Sequence, residues 1–165
     1  MRKRLAPALV LLLLTAAAAG ANDPPTIEHS PSLCTVAEKP LQLCAGISDD
    51  SSVAVARLYF RRVGEEFYSY VAMAFTGVSY CGTLPAPHEK AKTIEYYINA
   101  VDDTYQPTRT STYRLPVQAE GVCEFPPVID PAKAPPIKVF ATNRKQGKKL
   151  DDAFSLAGVT FVALP

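Results

Sequence analysis

The sequence has no tryptophan, only two histidines, and no pair of cysteines at CxxC spacing. His29 and His88 stand far apart. Without a second nitrogen ligand or a close thiol pair, the chain offers no zinc-binding pattern. It also lacks GxSxG, HExxH and any glycine-rich loop of the kind that cradles phosphate, so no nucleophile, metalloprotease helix or nucleotide site is announced. The doublet Glu65-Glu66 in "VGEEF" marks a turn rather than two carboxylates across a cleft. The reading is therefore of a non-enzyme that needs no cofactor.

An excess of either charge is missing as well. The whole chain carries a formal charge of +1. Nucleic acid and anionic membrane both require a concentrated positive field, and neither is an expected partner. After the first segment no apolar run is long enough to cross a bilayer. No Asn-x-Ser/Thr site occurs, which fits a bacterial source.

What is present begins at the N-terminus. Arg2, Lys3 and Arg4 precede the uncharged run "LAPALVLLLLTAAAA", which closes on the small-x-small pattern Ala19-Gly20-Ala21. This is the pattern of a secretory signal peptide over 1–21, cleaved before Asn22. Removing it leaves 144 residues with 14 basic and 16 acidic side chains, a formal charge of −2. That length suits one domain. The expected location is exported, in the periplasm or outside the cell. Four cysteines, Cys34, Cys44, Cys81 and Cys123, follow the signal, and an even count in an oxidising compartment predicts two disulfides.

Short β-like runs then follow one another: "TIEHS" (26–30), "LQLCAGIS" (41–48), "VAVARLYFRR" (53–62), "YSYVAMAF" (68–75), "SYCGTLP" (79–85), "TIEYYINAV" (93–101) and "TSTYRLPV" (110–117). Their period-2 alternation and β-branched and aromatic content predict an all-β antiparallel sandwich of about seven strands over 22–123. Alternation places Leu41, Leu43, Ala45 and Ile47 inside, with Cys44 outside. It places Ala54, Ala56, Leu58 and Phe60 inside, then Phe67, Val71, Met73 and Phe75, then Tyr80, Gly82 and Leu84.

Three stretches, "PPTIEHSP", "ISDDSSVAVARLYFRR" with "YSYVAM", and "IEYYINAVDD", together resemble immunoglobulin-like and fibronectin type III-like domains of exported bacterial proteins. The alternation Tyr96-x-Ile98-x-Ala100-x-Asp102 is similar to strand F of the fibronectin type. An antibody-type core is excluded, because tryptophan is absent and the cysteines are not on strands B and F. The resemblance implies a binding, spacing or scaffolding role and names no ligand. It also implies that the second and fifth strands are neighbours, so the preferred pairing of the three connectivities is Cys44–Cys81 with Cys34–Cys123.

The strand faces turned away from the core hold the candidate binding surface. Arg57, Tyr59 and Arg61, then Tyr68 and Tyr70, then Tyr97 and Asn99, then Thr112 and Arg114 fall on one outer face if their strands share a sheet. Tyrosine and arginine are enriched at interface hot spots. They are also ordinary residents of solvent-facing strands, where cross-strand contacts stabilise the sheet itself. Three uses are compatible with this pattern: recognition of a protein partner, a platform for a cell-surface polysaccharide, and a structural accessory docked through its tail. Asp49 and Asp50, with Asp102 and Asp103, form a second cluster in two loops expected at one end of the sandwich. Calcium takes hard oxygen ligands of this kind, but aspartate is equally a turn residue.

Beyond Ala119 the composition changes. Residues 124–136, "EFPPVIDPAKAPP", read as a proline-rich linker. In 137–165 a strand "IKVFAT", a basic turn with Arg144, Lys145, Lys148 and Lys149, and a final strand-like run suggest an appended antiparallel hairpin, or else a strand added to the domain edge or to another protein's sheet.

Overall fold

The structure is a computed structural model that describes residues 22–124, 129, 135–141 and 150–163. The expected signal peptide, most of the proline-rich segment and the basic run 144–149 lie outside the described residues.

Twelve strands are formed among the described residues: β1 (Thr26–Glu28), β2 (Thr35–Val36), β3 (Leu41–Ser48), β4 (Val53–Arg62), β5 (Ser69–Ala72), β6 (Ala74–Phe75), β7 (Tyr80–Leu84), β8 (Thr93–Asp102), β9 (Pro107–Arg109), β10 (Tyr113–Gln118), β11 (Ile137–Ala141) and β12 (Val159–Ala163). They make two sheets. The smaller runs β1-β3-β7-β6, and the larger runs β12-β11-β5-β4-β8-β10-β2, with β9 also on β8. This is an immunoglobulin-like sandwich: β3 and β7 are the neighbouring strands B and E, and β4, β8 and β10 are C, F and G. The short β2 runs parallel to β10. Two residues carry too little pattern to be seen in the sequence.

The core lies between the sheets. Leu41, Leu43 and Ala45 of β3 meet Leu58, Phe60, Ile98 and Leu115 of the opposite sheet in one buried cluster. Gly82 on β7 marks the closest approach. A Cβ there would lie 3.1 Å from Met73 Cγ, 3.3 Å from Val71 Cγ2 and 3.4 Å from Leu58 Cβ. A side chain at this position would require Met73 and Val71 to give by a few tenths of an ångström.

Several expected core positions are outside. Ala54 is exposed because the β4–β8 register shifts between Val53 and Val55, which breaks the alternation. The run 68–75 is two strands rather than one. After Ala72 the chain crosses between sheets at buried Met73, whose N–H donates to Ala56 O at 2.9 Å, and β6 then joins β7. Phe75 therefore lies 60% exposed against Tyr80 on the other sheet's edge, and Phe67 precedes β5 at 47% exposure. The run 110–117 becomes strand only from Tyr113, and a separate short strand, β9, precedes it. Thr110 bridges the gap between β9 and β10, its N–H donating to Ile98 O while its Oγ1 accepts from Ile98 N.

Both disulfides are formed. Cys44 and Cys81 stand directly opposite each other on β3 and β7, with Cα atoms 4.1 Å apart. Cys34–Cys123 joins residues 89 apart in sequence. In the chain-entropy account, closing so long a loop stabilises the fold by roughly 4–5 kcal/mol.

The C-terminal extension is not an antiparallel hairpin. β11 and β12 pair in parallel, and β11 adds antiparallel to β5 through Phe140 and Tyr70. Parallel neighbours need a crossover, and the helical residues 150–153 lie within it. Its contents explain the arrangement. Leu150, Ala153 and Phe154 are buried in the main cluster, and Phe154 meets Phe60 edge-on at 5.1 Å. Backbone bonds from His88 N to Ala153 O and from Ser155 N to Ala86 O fasten the segment down.

Candidate functional site

Alternation along β4, β5 and β8 turns every second side chain away from the core, and pairing aligns those side chains in rows across the larger sheet. One row is aromatic. Phe140 stands opposite Tyr70, Tyr70 opposite Tyr59, and Tyr59 opposite Tyr97. Tyr59 and Tyr97 stack with centroids 4.8 Å apart and planes 7° from parallel, and Tyr70 and Phe140 stack at 4.9 Å and 10°. Tyr59 and Tyr70 are tilted at 5.2 Å, and Tyr68 meets Tyr97 edge-on at 5.0 Å. All five rings are half-buried.

Guanidinium groups cover other ring faces. Arg57 lies over Tyr70 at 4.8 Å, Arg61 over Tyr68 at 4.2 Å and Arg109 over Tyr97 at 5.0 Å. Such contacts contribute about 0.5–1 kcal/mol each at exposed sites. Burial among the rings raises the Tyr97 phenol, and Tyr59 adds to this while Arg109 opposes it.

A second row is ionic. Glu95 follows the alternation of Tyr97 and Asn99, and its side chain is only 8% exposed. Arg61 donates to Glu95 Oε2 from Nε at 3.0 Å and from Nη2 at 2.9 Å, and Arg114 donates to Oε1 at 3.1 Å. Arg61 Nη1 also reaches Glu65 O at 2.8 Å, tying the hairpin turn to the sheet.

The third row contains Ala72, Arg57, Asn99 and Arg109, paired in that order. Asn99 Nδ2 donates to Thr108 O at 3.0 Å. On β11, exposed Lys138 lies two residues from Phe140 and so shares its face.

Arg57, Tyr59, Arg61, Tyr68, Tyr70, Tyr97, Asn99 and Arg114 are thus placed on one face, while Thr112 lies in the break between β9 and β10. The sequence reading missed Glu95, Arg109, Lys138 and Phe140. Glu95 was readable from its spacing to Tyr97. Arg109 precedes the run taken as the last strand, and Phe140 and Lys138 belong to a tail strand for which addition to the domain edge, the alternative to a hairpin, is what the structure has.

The aspartate loops do meet at one end. Ser51 Oγ lies 2.8 Å from both Asp49 Oδ1 and Asp103 Oδ1, its one proton shared between them, and Ser52 Oγ donates to Asp103 Oδ2. Asp49 Oδ2 is buried with no hydrogen-bond partner among the described residues, and Asp50 is exposed. Asp102 is fully buried. Burial pushes its carboxyl up, but hydrogen bonds from Gln106 N, Thr104 Oγ1, Asn22 Nδ2 and Thr104 N hold it below the ordinary range. Among the described residues no three His, Cys, Asp or Glu side chains are grouped to hold a metal ion.

His29 is set between the sheets' edges rather than in a cleft. Its Nδ1 is 2.8 Å from Cys44 O and its Nε2 2.9 Å from Tyr96 OH, with Tyr113 edge-on. Burial lowers its pKa, the Cys44 carbonyl opposing. The same environment raises the Tyr96 phenol. His88 pairs with Glu38 at 2.8 Å.

No family model matches the chain, and no curated protein matches it. Two solved structures are similar over 61% of the chain. One is a chimeric titin Z1Z2 functionalized with a KLER exogenous peptide from decorin, at 21% identity and TM-score 0.41, covered over 99% of its length. The other is the SrpA adhesin of Streptococcus sanguinis, at 19% identity and TM-score 0.39, of whose length 60% is covered.

Proposed function

We propose that this chain is an exported, non-catalytic binding module that recognises a protein partner through the outer face of its larger sheet. The observation that carries the reading is the aromatic row Phe140–Tyr70–Tyr59–Tyr97, half-buried and flanked by arginines across four strands. Such side chains bring large contact area with few torsions left to order, which suits an interface core. Two disulfides in so small a chain support an oxidising compartment.

Ring orientation favours protein over polysaccharide. A sugar-binding platform presents ring faces to solvent. Here the rings stack on one another and under guanidinium groups, so edges and hydroxyls are what a partner meets.

The test is capture. The mature protein and the variant Tyr59→Ala/Tyr68→Ala/Tyr97→Ala, matched for cooperative unfolding, are exposed to protein and polysaccharide fractions of the cell envelope. Retention of a protein by the first and not the second is the expected result. Identical behaviour would mean that the rings serve only the sheet.

A further inference from the structure

The third row of the face has a charge pattern that the sheet itself does not use. Among the strand residues of this face, Arg57, Arg61, Arg109, Arg114 and Lys138 stand against the single carboxylate of Glu95. Glu95 takes up Arg61 and Arg114. Arg57, Arg109 and Lys138 have no carboxylate within ion-pair distance among the described residues. The chain after residue 21 is formally −2, so this local excess is not a reflection of overall charge.

The unpaired cations are also held in place. Arg57 and Arg109 flank Asn99 on neighbouring strands, which sets their backbones about 10 Å apart. Each guanidinium lies over a tyrosine ring, Tyr70 and Tyr97 respectively. Arg57 Nη1 also reaches Tyr59 OH at 3.5 Å and Arg109 hydrogen-bonds Tyr97; these contacts position the groups, and the five donors of each guanidinium leave others for a carboxylate. The gap between Arg57 and the β11 lysine is floored by Ala72, small and exposed, so nothing rises between these two to block a bound segment, and Asn99, between Arg57 and Arg109, is turned to Thr108 O. Cations ordered before binding lose little entropy when a partner arrives.

We infer that the row Lys138–Arg57–Arg109 is a docking site for an acidic segment of a protein partner, with carboxylates spaced along it and apolar side chains meeting the aromatic row. This rests on the recognition reading above and specifies the chemistry of what is recognised.

The experiment uses the oxidised mature chain and two probes, an oligo-glutamate peptide and oligo-galacturonate, which carries the same carboxylates on a sugar chain. Affinities are measured at several salt concentrations for the wild type, for Arg57→Gln/Arg109→Gln, and for Lys90→Gln/Lys92→Gln, which removes equal charge away from the row. The expected result is salt-sensitive binding of oligo-glutamate that weakens about tenfold or more in Arg57→Gln/Arg109→Gln and holds in the lysine variant. Equal weakening in both variants, or binding of oligo-galacturonate alone, overturns the inference. The envelope capture separates it from the parent reading. If the tyrosine variant loses the captured protein and Arg57→Gln/Arg109→Gln keeps it, the face still recognises a partner but not through acidic groups. If neither variant changes capture, both readings fall.

Discussion

Tyr59 and Tyr97 stand directly opposite each other on neighbouring strands, their rings 4.8 Å apart and 7° from parallel. The pair closes the β8 end of the aromatic row, and its worth to the sheet can be separated from any worth to a partner. In a double-mutant cycle with Tyr59→Ala and Tyr97→Ala, the coupling should be about 0.5–1.5 kcal/mol in urea unfolding. A coupling near zero would show that the stack contributes nothing to folding and is present for other reasons.

Glu95 is nearly buried, and most of its compensation comes from one side. Arg61→Gln would leave the carboxylate with Arg114 alone, whose side chain is 72% exposed. The expected cost is about 1–3 kcal/mol, as for a buried polar group left short of partners. Glu95→Gln in the Arg61→Gln background should recover part of the loss, because the uncompensated charge is then gone. Chemical denaturation of the wild type and these two variants checks this.

His29 makes stability depend on pH in one direction. Its folded pKa lies below the ordinary value of 6.5, so the unfolded chain takes up a proton before the folded one does. The stabilisation is complete above 6.5 and is lost as pH falls through the folded value. Between about pH 7.5 and about pH 5 the urea midpoint should fall in the wild type and fall less in His29→Gln. Asp102 and Glu120, both held below the ordinary carboxylate range, act in more acidic solution and do not confuse this window.

Phe154 tests whether the extension belongs to the domain. Its ring is fully buried and meets Phe60. Phe154→Ala should cost about 3–5 kcal/mol. Phe154→Leu, which keeps most of the volume, should cost under about 1.5 kcal/mol. A negligible loss in the alanine variant would mean that residues 150–163 dock without stabilising the sandwich.

The strands that could be read from the sequence are those whose alternation runs for six residues or more, as β4 does beyond its irregularity at Ala54. β3 and β4 fall on the runs 41–48 and 53–62, and Cys44 is outside because Leu43 and Ala45 are inside. What escaped depends on contacts distant in sequence. Nothing local marks Met73 as the point where the chain changes sheets, since Val71, Met73 and Phe75 continue the same alternation. The parallel pairing of β11 and β12 is dictated by Phe154 and Leu150 entering a core built from other strands. Of the face, the tyrosines were legible from period alone. Phe140 and Lys138 became part of it only once β11 was seen to extend β5.

The bridge between Cys34 and Cys123 also fixes how tension would travel through this molecule. Drawn by its two ends, the chain passes the force from β1 to Cys34 and then straight across to Cys123. The 89 residues of separation between them, roughly 300 Å of contour if extended, are excluded from lengthening. Only the N-terminal strand and the extension after Cys123 are free to peel away. The face that carries the aromatic row would therefore lose its two outermost strands, β12 and β11, the latter with Phe140 and Lys138, while Tyr59, Tyr70, Tyr97, Arg57 and Arg109 stay within the shielded loop. Pulling single molecules with and without a reducing agent should show the long extension only after reduction. In its oxidised form the protein can be stretched without its central sheet being undone.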